Sequence, residues 1–149
     1  MGEFLPVFTR ASKLVRGAAD EAMSRHGVRV GQNLVLAALW ERDGLAPGEV
    51  AQRLGVRSPT VVKMATRMEA TGLVERRRDA KDARLVRLHL TGKGRSLQAT
   101  IEQELRDLEA RALASVNERE RQQLERVLGK IVGNLEGVAT PDESVDELA

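Results

Sequence analysis

Between residues 58 and 94 the spacing of apolar side chains changes from a helical period to a strand period and back, and few folds accept that switch over so short a span. In SPTVVKMATRMEATG, Ser58 can cap a helix, Pro59 suits its first helical position, and Gly72 supplies a carboxyl-terminal stop. At ~100° per residue, Val61, Val62, Ala65 and Met68 share the inner side, while Thr60, Lys63 and Arg67 share the outer one. That outer face is predicted to be polar, basic and free of acids. Leu73-Val74 then begin a strand that continues into Arg76, Arg77 and Arg78. Leu85 to Leu90 alternate, with Val86, Leu88 and Leu90 on one face and Leu85, Arg87 and His89 on the other. The two strands make a hairpin. Its connection, about residues 79–83, lacks glycine, which predicts a longer loop instead of a tight two-residue turn.

The flanks read as helices. Phe4, Phe8, Ala11, Val15, Ala18 and Ala22 form one stripe, LVLAALW (34–40) suits a buried helix over about 31–42, and Pro47 opens a short helix ending at Gly55. Leu97, Ile101, Leu105, Leu108 and Ala112 predict a single helix over about 93–115. Asn117 caps a last one carrying Leu124, Val127, Leu128, Ile131 and Leu135. The two long carboxyl-terminal helices have narrow, coiled-coil-like seams. A short helix, a turn through Gly55-Val56-Arg57, a capped second helix and a hairpin follow the order of a winged helix-turn-helix. The expected fold is therefore mainly α with a small β-hairpin (α+β). It divides into an amino-terminal helix (1–30), the winged domain (31–95), two carboxyl-terminal helices (96–137) and an acidic, aperiodic tail (138–149) expected to be disordered.

A net charge of +2 conceals an uneven distribution. Residues 57–95 carry eleven Lys/Arg against four Asp/Glu, and residues 96–149 carry six against twelve. A basic middle segment argues for an anionic partner, with nucleic acid the leading candidate. With no cysteine, disulfides, thiolate metal sites and thiol redox sensing are excluded. His26 and His89 fit no metal-ligand spacing, and HExxH, GxSxG and glycine-rich phosphate loops are missing, so neither catalysis, metal nor cofactor is expected. No apolar run approaches the ~20 residues that span a bilayer, and the start lacks a signal-peptide pattern, which predicts a cytoplasmic protein with no membrane partner.

PGEVAQRLGV (47–56), SPTVVKMATRMEATGLVERR (58–77) and DAKDARLVRLHLTGKG (79–94), with Gln32, Leu36 and Leu39, resemble the MarR (multiple antibiotic resistance regulator) family of bacterial transcription regulators over roughly residues 5–137. The more specific signature is the wing: an Asp and an Arg two apart, alternating apolar residues, then Thr-x-x-Gly. The resemblance implies a homodimer, built here by Phe4, Phe8, Leu124, Leu128, Ile131 and Leu135, that represses a palindromic operator from the bacterial nucleoid. It implies a recognition helix whose DNA contacts are Ser58, Pro59, Thr60, Lys63 and Arg67. The wing would contribute Arg77, Lys81, Asp82 and Arg84, with Arg84 entering the minor groove. For many members it also implies release by a small-molecule effector. A carboxylate that pre-orients a guanidinium lowers the entropy lost on binding, and Asp82 resembles such a partner for Arg84. The alternative is that Asp82 caps the loop and relieves repulsion among the arginines, as assigned to Asp79. Two positions depart from the family pattern. Asn33 stands where an aromatic residue is common, and Ala46 stands where a capping side chain is usual before Pro47. A competing reading is a winged-helix module whose basic face meets an acidic protein.

Overall fold

A computed structural model describes residues 2–136; the predicted disordered tail at 138–149 lies outside them. In chain order come α1 (Phe4–Ser24), α2 (Gln32–Glu41), α3 (Pro47–Leu54), α4 (Ser58–Ala70), β1 (Val74–Arg78), β2 (Val86–Leu90), α5 (Gly92–Ser96), α6 (Gln98–Ala112) and α7 (Glu118–Leu135). The expected α+β winged helix is what forms. β1 and β2 pair antiparallel, with Val74 opposite Leu90 and Arg78 opposite Val86.

The core lies in the winged lobe. Val35, Leu36 and Leu39 of α2, Val50 of α3, Val61, Met64 and Met68 of α4, Leu73, and Leu88 of β2 are sealed from solvent, joined by Ile101 of α6. Burying Leu88 and Leu90 contributes about 2 kcal/mol each, enough to fix a two-stranded hairpin that would be marginal alone. The hairpin is also bonded to the α2–α3 connection: the Gly44 N–H donates to Leu88 O (3.0 Å) and the Leu88 N–H to Leu45 O (2.8 Å).

The Thr-x-x-Gly motif is a structural joint. Thr91 Oγ1 donates to Gly72 O (2.5 Å) and accepts the Gly94 N–H (3.0 Å) at the start of α5, while the Thr91 N–H donates to Leu73 O (3.2 Å). Gly94 O accepts the Trp40 indole N–H (2.9 Å). A Cβ on Gly94 would stand 2.2 Å from Leu73 O, so only glycine fits.

Three expectations about elements change. Residues 93–115 are two helices, α5 and α6, interrupted at Leu97. Two glycines in the first turn propagate a helix poorly, and that turn is held by Thr91 and Leu73 from outside. Ser58 is the first residue of α4 and not its cap; Arg57 takes the cap position with an extended backbone. α2 is not buried all round, because Leu34 (40 % exposed) and Ala37 line an open edge. Asn117 does cap α7: its Oδ1 accepts the Glu120 N–H (2.9 Å), and its own N–H donates to Glu120 Oε1 (3.1 Å). Ala46 lacks a capping side chain, yet its N–H donates to Glu49 Oε1 (3.0 Å), which retains half of that reciprocal arrangement.

Candidate nucleic-acid interface

α4 is packed on one side by Val61, Met64, Ala65 and Met68, and it ends where Gly72 adopts φ +77°. The Leu73 N–H donates to Met68 O (2.9 Å) and the Gly72 N–H to Glu69 O (3.0 Å), closing the helix in a Schellman arrangement. Ser58, Pro59, Lys63 and Arg67 face solvent as predicted. Thr60 does not. It is 5 % exposed, so its place on the outer face is corrected: it sits one step before Val61, at the margin of the packed arc. Val62, predicted to face inward, is 41 % exposed and takes a place on the open face. The arc that packs is centred nearer Met64 and Met68 than the apolar spacing suggested, which rotates both residues across its edges.

The acid-free description holds for the first turns of α4. In the last turn, Glu69 Oε2 accepts the Arg76 N–H (3.0 Å), and the Arg76 guanidinium hydrogen-bonds Thr66 Oγ1. Arg76 therefore ties the root of the wing to the exposed edge of α4.

The wing explains why carboxylates occur in the most basic segment. Arg77 stands directly opposite Arg87 across the hairpin, an unfavourable like-charge pair unless each has a counter-ion. Arg77 Nε donates to Glu75 Oε1 at 2.7 Å. Arg87 Nε donates to Asp79 Oδ1 (2.8 Å), and its Nη1 donates to Gly44 O (3.0 Å) and Glu49 Oε1 (3.3 Å). Asp79 Oδ2 also accepts the N–H groups of Lys81 (3.0 Å) and Asp82 (2.9 Å). The Arg87 hydrogen bond, followed by those two backbone donors, holds the Asp79 carboxyl below the usual carboxylate range; Asp79 in turn raises Arg87. Asp79 thus has the loop-capping role expected of it. The Arg87 clamp, which joins the loop to α3, was not anticipated. Its sequence signal was a lone arginine on the polar face of an alternating strand, indistinguishable there from a solvated one.

At the tip, the Arg84 side chain is 94 % exposed, and Lys81 is exposed beside it. Asp82 Oδ1 accepts the Arg84 backbone N–H at 3.0 Å and lies 3.5 Å from Arg84 Nε. The shorter contact braces the turn, as the loop-capping role has it, and the longer one leaves the guanidinium at the edge of hydrogen-bond reach of the same carboxylate.

Of the six residues expected at a dimer interface, Phe8, Leu124, Leu128 and Ile131 line one apolar groove of about 630 Å³ between α1 and α7, with Val15 and Val132. Phe4 packs against Phe8, ring centroids 5.5 Å apart, and Leu135 is exposed at the end of α7. Among the described residues no helix is long and apolar enough to cross a membrane.

The MarR family model matches residues 26–85, which contain α2, α3, α4, β1 and the wing loop up to the start of β2. Over those residues the chain is similar to the MarR family. It is 40% identical over 80 residues to the HTH-type transcriptional regulator TtmR of Methylorubrum extorquens, covering 54% of this chain and 41% of that protein. To the HTH-type transcriptional repressor MdtR of Bacillus subtilis it is 38% identical over 74 residues, covering 50% of this chain and 48% of the relative. The matches thus span less than half the length of these curated relatives. A mutant MarR from E. coli, solved in complex with operator DNA, superimposes with a TM-score of 0.77 at 23% identity over 85% of this chain and 91% of that one. That likeness establishes the winged-helix fold.

Proposed function

We propose that this chain is a MarR-family, sequence-specific, DNA-binding transcription regulator, a homodimeric repressor of a palindromic operator in the bacterial cytoplasm. The observation that carries the reading is the pairing of an exposed basic helix face (Ser58, Pro59, Lys63, Arg67) with a clamped wing whose tip exposes Lys81 and Arg84. Thr60 drops out of the contact set. Arg77 remains in it as a flank, its guanidinium shared with Glu75. In this reading residues 31–95 bind DNA, and the helices on either side build the twofold. Release by a small-molecule effector belongs to the same reading, and the chain performs no catalysis.

Lys and Arg contacts to phosphates displace condensed counterions, so affinity for a duplex of about 20 base pairs should fall steeply as salt rises. Arg84→Ala should weaken operator binding roughly ten- to hundredfold, about 1–3 kcal/mol, while leaving the oligomeric state unchanged. Selection of bound genomic fragments at physiological salt tests the whole reading, and recovery of no shared palindrome sinks it.

A further inference from the structure

Through residue 67, the exposed side chains of α4 are Ser58, Pro59, Val62, Lys63, Thr66 and Arg67. Val62 is the large apolar one. It is 41 % exposed while its neighbour Val61 is sealed, it is not among the hydrophobics packed against the core, and it lies outside the apolar groove of α1 and α7. Neither folding nor the proposed twofold accounts for it. It shares a helix stripe with Pro59 three residues before and Thr66 four after, on the exposed face that the DNA-binding reading turns toward the duplex.

The major-groove edge of a duplex presents one apolar group, the C5 methyl of thymine. A β-branched side chain on a helix occupies essentially one rotamer, so the Val62 methyls are ordered before any contact forms, and docking them loses little entropy. On a surface that met only phosphates a valine would add nothing, since it can donate no hydrogen bond. We propose that Val62 is a specificity-determining residue that reads a thymine methyl in each operator half-site, with Pro59 and the Thr66 methyl beside it. The assignment rests on the DNA-binding reading above and deepens it.

The experiment begins with a randomised duplex pool, from which the full-length protein selects its site. Each thymine of the recovered site is then replaced singly by deoxyuridine, which removes the methyl and leaves pairing intact. One thymine per half-site should weaken binding about fourfold when replaced, on the order of fifteenfold with both halves changed. Val62→Ala should bind the thymine and deoxyuridine sites equally, whereas Val62→Thr, which keeps one methyl, should retain part of the preference. Circular dichroism and sedimentation of the variants should match the parent. If no thymine responds, or the response is the same in Val62→Ala, the assignment is overturned and DNA binding stands. A pool that yields no shared site overturns both.

Discussion

Leu88 and Leu128 belong to equally regular apolar patterns, yet Leu88 is fully sealed whereas α7, which carries Leu128, has no buried residue at all. The winged lobe completes its core within one chain. The outer helices leave Phe4, Phe8, Val15, Leu124, Val127, Val132 and Leu135 open to solvent. Large apolar side chains left open along one groove mark an interaction site, and the walls of the groove come from α1 and α7 of the same chain. In the proposed regulator the lobe would present its reading head alone, and the spacing between two heads would depend on what covers α1 and α7. A second copy covers identical surfaces with identical surfaces, as a twofold interface requires.

The sharpest way to break this comparison is to charge the groove. Leu128→Asp combined with Ile131→Asp should convert a dimer at micromolar concentration to a monomer by sedimentation. It should also reduce operator affinity by about two to four orders of magnitude, because the second head no longer binds at high effective concentration. Far-ultraviolet dichroism of the lobe should persist. A dimer that survives both changes removes the division of labour. Next in size is a break inside the lobe. Gly94→Ala forces a methyl against Leu73 O, a backbone atom 2.2 Å from the ideal Cβ position, and should cost about 2 kcal/mol. Denaturant unfolding followed through Trp40, the only tryptophan, whose indole is bonded to Gly94 O, reports it directly. An unchanged midpoint would mean that the joint carries no strain-sensitive contact.

Where local chemistry decides structure, the sequence was legible. Pro47, Gly72, Asn117 and the alternation of Val86, Leu88 and Leu90 placed helix ends and the hairpin, because caps, stops and pleats depend on nearest neighbours. Thr60 and Val62 were exchanged because periodicity fixes the width of an apolar arc far better than its centre. The centre is set by how α3, α2 and the hairpin press on α4 together, which no local spacing encodes. The Asp79–Arg87–Glu49 clamp was out of reach for the same reason, since it joins residues up to 38 apart in the chain. At the candidate site, the exposed residues Lys63, Arg67 and Arg84 were named correctly as outward-facing. The packing that holds them in place was not.

The smallest expected effect concerns the ionic contacts that hold each region where burial does not. In the lobe, Asp79 braces the wing. At the seam with the outer helices, Glu104 of α6 accepts from Arg25 (2.9 Å) and contacts His26 Nε2 (3.2 Å), just past the end of α1. Both carboxyls sit below their ordinary range, Asp79 chiefly through Arg87 and Glu104 chiefly through Arg25. A carboxylate whose folded value is depressed adds stability that is fully present above its unfolded value and is lost as pH falls through the folded one. Stability should therefore be flat near neutrality and fall below about pH 4. Asp79→Asn and Glu104→Gln should each make that acid decline shallower in thermal melts. They should differ in a second readout at neutral pH. Asp79→Asn frees the wing loop and should weaken operator binding severalfold with the dimer intact, whereas Glu104→Gln should leave the wing contacts unchanged. Equal losses of operator affinity in the two variants would mean that the seam and the wing are not independent, and that the lobe does not hold its reading head alone.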